Sequence, residues 1–188
     1  GVWIRIMKLS QLLTDRKFKT DVDICGITAD SRNVEPGFLF VALPGLKFNG
    51  ADYIDEAIKS GAAAILCVPQ VKSNDENIIW ILDDYPVRVF PHMVSRFFQD
   101  QPENIAAVTG TNGKTSVAFF TQQIWKQLGL KAASIGTLGI QSEDYVKETG
   151  LTTPDPIVIH KALSKLCHMG VNHVVFEASS HGLDQRRL

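Results

Sequence analysis

The segment Ile105-Ala-Ala-Val-Thr-Gly-Thr-Asn-Gly-Lys-Thr115 joins an apolar run to a turn that contains two glycines, a lysine and a threonine. The apolar run predicts a buried strand. A strand, a Gly-x-x-Gly-Lys-Thr turn and a helix form the context that a phosphate-binding loop requires. The residues after the turn have apolar side chains at helical spacing and predict a helix over 115–128, with Val117, Phe120, Ile124 and Leu128 on one face.

The residue types in this turn suit the phosphates of a nucleotide. Glycines let backbone N–H groups approach an anion closely, and the start of a helix adds partial positive charge. Lys114 supplies a full charge for the β- and γ-phosphates, and the Thr115 hydroxyl can bind Mg²⁺. Val108 replaces the first glycine of the usual pattern, so an ordinary strand–helix turn with an exposed lysine stays open as the alternative. The predicted nucleotide-binding residues are Gly110, Thr111, Asn112, Gly113, Lys114 and Thr115.

Strands and helices alternate regularly after this turn. Residues 131–135 and 174–176 predict two further strands, residues 155–169 predict the helix between them, and residues 141–150 predict a polar loop or hairpin. This βαβαβ order predicts a parallel sheet with right-handed crossovers. Glu177 directly follows the last strand, where it is placed to hold Mg²⁺ beside the phosphate loop. The alternative is a strand that ends in a solvated glutamate.

Two polar segments of this half contain further candidate residues. Ser179-Ser-His-Gly-Leu-Asp-Gln-Arg-Arg187 offers hydroxyl, imidazole and guanidinium groups that can bind a metal ion or a phosphate. No Gly-x-Ser-x-Gly sequence is present, which argues against a hydrolase nucleophile. On local grounds, Thr152-Thr-Pro154 is typical of a turn that enters a helix, and Asp30-Ser-Arg32 is typical of a turn as well.

The first half of the chain predicts a smaller α/β unit. Its spacing of strands is irregular, and the change to regular alternation predicts a domain boundary between residues 84 and 103. We therefore divide the chain into domains 1–87 and 88–188. The elements predicted in the first of them are strands at 37–43, 63–68 and 78–82 and a helix at 51–60.

Composition excludes several other classes of protein. Of the 188 residues, 45% are hydrophobic and 21% charged, and the formal net charge is -1, values ordinary for a globular protein. Without a basic excess, a nucleic-acid partner is not favoured. The three cysteines form no Cys-x-x-Cys pair, so neither a zinc site nor a disulfide framework is expected. No apolar run approaches the roughly 20 residues that span a bilayer, and we expect a cytoplasmic protein without a membrane partner.

Together these motifs resemble the Mur ligase family. The phosphate loop resembles that of the family, including the missing early glycine, and Thr152-Thr-Pro154 and Glu177-Ala-Ser-Ser-His-Gly-Leu183 match its T-T-P and E-x-S-S-H-x-L elements. Asp30-Ser-Arg32 and residues 36–43 and 61–65 match an N-terminal domain found in two of its members. Gly136-Thr-Leu-Gly139, the Thr-Asn form of the loop and the T-T-P element favour the member that adds a diamino acid.

The resemblance implies a fold and a function. The fold is α/β, with a small N-terminal UDP-binding domain followed by part of a parallel, Rossmann-like ATP-binding domain. The implied reaction is an ATP- and Mg²⁺-dependent ligation of peptidoglycan precursor synthesis. It joins diaminopimelate or L-lysine to UDP-MurNAc-L-Ala-D-Glu through an acyl phosphate.

The resemblance also implies roles for individual residues. Lys114, Glu177 and His181 would be catalytic, with Lys114 neutralising the ATP phosphates. Thr115, Glu177 and His181 would hold Mg²⁺. The UDP-muramoyl peptide would be held by Ser31, Leu46, Lys47, Phe48, Thr152, Thr153, Ser179, Gln185 and Arg187.

Members of the family are longer than this chain, so we expect a truncated, inactive fragment. It would lack a bridging carbamylated lysine, the adenine contacts and the domain that captures the amino acid. The full-length enzyme is expected to be a monomer, whereas exposed apolar surface would let the fragment self-associate. The alternatives are another phosphate-loop NTPase or kinase, a folylpolyglutamate-synthetase type of relative, and a non-catalytic UDP-sugar binding module. The first would need a base-specificity element such as Asn-Lys-x-Asp, which is absent from the sequence.

Overall fold

The computed structural model describes residues 5–45, 49–147 and 156–178. Its internal contacts divide the chain into two compact units, Gly1–Phe97 and Phe98–Leu188. In chain order, the first unit contains β1 (Met7–Lys8), α1 (Leu9–Leu12), β2 (Asp23–Ile24), β3 (Gly26–Thr28), β4 (Phe38–Val41), α2 (Ile54–Lys59), β5 (Ala64–Cys67), β6 (Ile79–Leu82) and α3 (Pro86–Phe97).

A four-stranded parallel sheet in the order β3-β4-β5-β6 forms the centre of the first unit. Every residue of β5 is buried, as expected for a parallel strand that is covered on both faces. Phe40 and Ile65 of neighbouring strands pack with Ile54 and Ala57 of α2. The three strands predicted for this unit are confirmed, and the predicted helix forms as a 3-10 turn followed by α2. The short elements β1, α1, β2 and β3 were not predicted, because two to four residues show no periodicity.

Helix α3 makes its contacts with the first unit. It buries Phe90, Met93 and Val94, and the Arg96 guanidinium donates to the carbonyl of Leu12 in α1 at 2.8 Å. The boundary between the two units therefore lies directly after α3, between Phe97 and Phe98, whereas the domain boundary drawn from the sequence at 87/88 lies near the start of this helix.

The second unit contains β7 (Asn104–Val108), α4 (Lys114–Gln127), β8 (Ala132–Gly136), β9 (Gly139–Gln141), β10 (Val146–Lys147), α5 (Pro156–His168) and β11 (His173–Glu177). Its five-stranded sheet has the order β10-β9-β8-β11-β7, in which β7, β11 and β8 are parallel and the β9–β10 hairpin is antiparallel. The predicted βαβαβ alternation is confirmed, and so is the α/β class with a parallel sheet.

Helix α4 turns a different face to the sheet than its apolar periodicity indicates. It packs against β8 and β11 through a face that buries Ala118 and Gln122. The four apolar residues that share one face in the sequence pattern are instead exposed by 50% to 70%; they are Val117, Phe120, Ile124 and Leu128. We call these four residues the α4 stripe.

Among the described residues, no helix is both long and apolar enough to cross a bilayer.

Candidate functional site

The phosphate loop, residues 110–115, connects β7 to α4 with two glycines in unusual backbone conformations. Gly110 has φ +142° and Gly113 has φ +80°, values that residues with a Cβ rarely adopt. Among the described residues, a Cβ added to Gly113 would meet no atom within 4 Å. Glycine is therefore required there by the backbone and not by crowding, and these residues leave the space beside Gly113 open.

The loop presents positive character to this open space. Gly113 precedes the 14-residue helix α4 as its N-cap and has no side chain that could accept from the N–H groups of the first turn. The Lys114 ammonium donates to the Gly110 carbonyl and thus lies across the loop. Backbone N–H groups, the helix start and one ammonium group together make a site for an anion.

The parallel register of the sheet brings Glu177 to this loop. In β11, Glu177 lies opposite Val108, the last residue of β7, and the Ala178 N–H donates to the Val108 carbonyl at 2.8 Å. The Thr115 hydroxyl donates to Oε2 of Glu177 at 3.0 Å. The structure therefore brings together two of the three predicted metal ligands.

The oxygens of Thr115 and Glu177 fit a divalent cation. Adjacent ligands of an octahedral Mg²⁺ with bonds of about 2.1 Å lie about 3 Å apart, which matches the distance between these two atoms. The Glu177 side chain is only 3% exposed, and no ion pair to it occurs among the described residues. Because a buried carboxylate without a cation is unfavourable, a bound Mg²⁺ would compensate its charge.

Sequence reasoning assigned no role to Thr137, which also binds Glu177. Its backbone N–H donates to Oε1 at 3.2 Å, and its hydroxyl donates to Oε2 at 3.1 Å. The preceding Gly136 leaves room for the carboxylate, since an added Cβ would lie 2.1 Å from Oε1. The only sequence signal was the Gly136-Thr-Leu-Gly139 element, which was noted as part of a resemblance.

The first unit places Ser31, which is buried, in a short and otherwise more exposed turn. Asp30 accepts from the Arg32 N–H and caps the 3-10 turn at Ser31–Asn33, and its carboxylate also pairs with the Arg32 guanidinium, which lowers the pKa of Asp30. The Ser31 hydroxyl donates to Oε2 of Glu56 in α2 at 2.6 Å. Like Thr137, Glu56 contacts a predicted site residue, and the sequence gives no signal for this contact.

The other predicted substrate and metal residues lie outside the described residues. These are Leu46, Lys47, Phe48, Thr152, Thr153, Ser179, His181, Gln185 and Arg187. Within the described ranges, no group of three or more His, Cys, Asp or Glu side chains could hold a metal ion. The three cysteines are free, and burial raises the pKa of the Cys67 thiol.

Comparison with known proteins identifies the class to which this fold and loop belong. A family model described as the catalytic domain of the Mur ligase family matches residues 23–112, and one described as the Mur ligase middle domain matches residues 108–188. The chain belongs to the Mur ligase family, whose members are ATP-dependent ligases.

Within this family, the chain is similar to UDP-N-acetylmuramoyl-L-alanyl-D-glutamate--2,6-diaminopimelate ligases, the enzymes called MurE. It is 48% identical to that of Brucella melitensis over 168 residues, which are 89% of this chain and 34% of the relative. It is 45% identical to that of Caulobacter vibrioides in an alignment that covers 96% of this chain and 38% of the relative. The chain therefore spans about a third of the length of the curated relatives it matches.

Solved structures agree with this assignment. A structure of a UDP-N-acetylmuramoyl-L-alanyl-D-glutamate--2,6-diaminopimelate ligase superposes with a TM-score of 0.80 at 27% identity, covering 97% of this chain and 38% of that one. MurF of Thermotoga maritima, solved with ADP, has a TM-score of 0.53 at 19% identity, covering 82% of this chain and 32% of that one, and supports the fold alone.

Proposed function

We propose that this chain is the UDP-binding part and the phosphate-binding part of a MurE-type ligase. That enzyme would join diaminopimelate or L-lysine to UDP-MurNAc-L-Ala-D-Glu in the cytoplasm, through an acyl phosphate on the D-Glu side chain. The observation that carries the proposal is the contact of Thr115, at the end of a phosphate loop, with a buried Glu177 that forms no ion pair within the described residues. The names of the relatives supply the reaction.

The loop's part in this chemistry is to hold and neutralise phosphates. Transfer of a phosphoryl group depends mostly on positioning and on charge stabilisation, with little covalent work for the protein. The N–H groups around Gly113 would bind phosphate oxygens. Lys114 would leave its contact with the Gly110 carbonyl and turn to the β- and γ-phosphates.

Mg²⁺ would be held by Thr115 and Glu177, with His181 as a further ligand. The ion would supply positive charge beside the transferred phosphate and so lower the repulsion between the phosphate and the attacking carboxylate. The Thr115 hydroxyl oxygen would turn to the metal, so its present hydrogen bond to Glu177 would open.

The proposed contacts with the UDP-muramoyl peptide follow the family resemblance. Ser31 would contact the uridine end, with its hydroxyl oriented by Glu56. The remaining proposed contacts are Leu46, Lys47, Phe48, Thr152, Thr153, Ser179, Gln185 and Arg187.

The 188 residues alone would have no ligase activity. They span about a third of the MurE relatives, and the resemblance assigns the bridging lysine, the adenine contacts and the amine site to the remainder. Positioning can contribute about 7–11 kcal/mol to lowering a barrier, and much of that scaffold lies outside this chain. The whole enzyme would act as a monomer, without nucleic-acid or membrane partners.

Calorimetric titration of the chain with UDP-MurNAc-L-Ala-D-Glu and, separately, with ATP and Mg²⁺ tests the proposal. We expect the muramoyl peptide to bind, and we expect Ser31→Ala to lower its affinity. Ser142→Ala is the control: it removes a serine hydrogen bond in the second unit and should leave the affinity for the muramoyl peptide unchanged. In the separate titration with ATP and Mg²⁺, we expect weak binding of ATP. ATP binding without any response to the muramoyl peptide would favour another phosphate-loop NTPase. Muramoyl-peptide binding without any ATP binding would favour a non-catalytic UDP-sugar module.

A further inference from the structure

Two segments of the chain hold the Glu177 carboxylate by hydrogen bonds. One is the phosphate loop, and the other is the segment that follows β8. Thr115 reaches Oε2 from the start of α4. Thr137 follows β8, and it reaches Oε1 through its N–H and Oε2 through its hydroxyl, at 3.2 and 3.1 Å. These three hydrogen bonds are the carboxylate's partners within the described residues.

The two threonines differ in what metal binding would do to them. The Thr115 hydroxyl would itself become a metal ligand, so its hydrogen bond to Oε2 would open when a cation binds. The N–H of Thr137 binds Oε1 and its hydroxyl binds Oε2, and each oxygen keeps a second lone pair for a cation, so neither of these bonds need open. Thr137 can therefore hold the carboxylate in the same orientation with and without the metal.

Gly136 makes this arrangement possible. It is the last residue of β8, and β8 pairs with β11 in parallel up to Phe176 and Ile135, so the next residue of β11 extends its side chain across the end of β8. A Cβ at Gly136 would lie 2.1 Å from Oε1 and 2.4 Å from Cδ of Glu177, closer than real Cβ atoms come. Only glycine at this position leaves room for the Glu177 carboxylate to reach Thr137.

We propose that Thr137 is a positioning residue that holds Glu177 in its metal-binding orientation, and that Gly136 supplies the space for that carboxylate. The proposal rests on the proposed function, since it assigns Glu177 to a divalent cation. Groups that orient metal ligands typically change metal affinity by about 10- to 100-fold when they are removed. Thr137 acts through Glu177 and touches no reacting atom.

Mn²⁺ binding to the 188-residue chain, measured by electron paramagnetic resonance in the presence of ATP, tests this role. Thr137→Val keeps the shape and the backbone N–H but removes the hydroxyl, and we expect it to weaken Mn²⁺ binding by about tenfold or more. Thr137→Ser restores the hydroxyl and should bind within about twofold of the unsubstituted chain. Thr121→Val is the matched control, because the Thr121 hydroxyl donates within α4, to the Val117 carbonyl, and should leave Mn²⁺ binding unchanged.

Two further measurements separate positioning from folding. Binding of ATP without a metal should be equal in Thr137→Val and in the unsubstituted chain, and circular dichroism should show the same secondary structure. The positioning role would be overturned if Thr137→Val and Thr137→Ser lost Mn²⁺ affinity equally. It would also be overturned if Thr137→Val lost as much affinity for metal-free ATP as for Mn²⁺. Undiminished Mn²⁺ binding by Thr137→Val would overturn it while leaving the proposed function standing. An unsubstituted chain that binds ATP but no Mn²⁺ would overturn both.

Discussion

At the scale of single residues, Lys114 is the group on which phosphate binding depends most. It has the only charged side chain of residues 110–115, and its ammonium lies across the loop on the Gly110 carbonyl. We expect Lys114→Ala to weaken ATP binding by at least about tenfold, because a charge-assisted hydrogen bond to phosphate contributes more than about 1.4 kcal/mol. Calorimetry with ATP and Mg²⁺ measures this change.

Lys126→Ala provides the comparison for that substitution. Lys126 belongs to the same helix, and its exposed ion pair with Glu143, at 3.7 Å, contributes little. If both variants bind ATP equally well, the loop lysine is not a phosphate ligand.

At the scale of secondary structure elements, the sequence predicts what is local and misses what depends on register between strands. The phosphate loop and the strand that ends at Glu177 are contiguous patterns, so both could be predicted. The contacts of Glu177 with Thr137 and of Ser31 with Glu56 join residues far apart in the chain, and only the sheet and helix packing brings them together. The exposed face of α4 shows the same limit, because apolar periodicity identifies a face but not what covers it.

The two ends of α4 provide a matched pair of glycines for a test at this scale. Gly113 before the helix and Gly129 after it have φ of +80° and +77°, and neither has an atom within 4 Å of an added Cβ. We expect Gly113→Ala and Gly129→Ala each to lower the free energy of unfolding by about 1–2 kcal/mol, because both force alanine into a left-handed conformation. Only Gly113→Ala should weaken ATP binding, because only Gly113 directs loop N–H groups toward the ligand space.

Urea unfolding and calorimetry with ATP measure the two effects separately. Equal ATP affinity in the two alanine variants would show that the conformation of Gly113 matters for stability alone.

At the scale of the whole molecule, the second unit has an open strand edge and an exposed apolar stripe among its described residues. Among the described strands, β7 pairs only with β11 and so forms one edge of the sheet. Helix α4 contacts the β9–β10 hairpin at the other edge of the sheet. Gln122 donates to the Gln141 carbonyl at 3.3 Å, and Lys126 forms an ion pair with Glu143. The α4 stripe contains none of the residues that contact the hairpin, and its four exposed side chains add apolar surface to a unit that already has an open strand edge.

We therefore predict that the 188-residue chain self-associates through the α4 stripe and the β7 edge. Light scattering on a size-exclusion column should give a mean mass that rises with protein concentration. Replacing both Phe120 and Ile124 with glutamate should shift the chain toward the monomer, because charged side chains would be desolvated in the contact. Leu138→Glu should not, because Leu138 is exposed to a similar degree but lies beside the hairpin. A monomeric mass at every concentration, or an equal shift in both variants, would show that this face does not drive association.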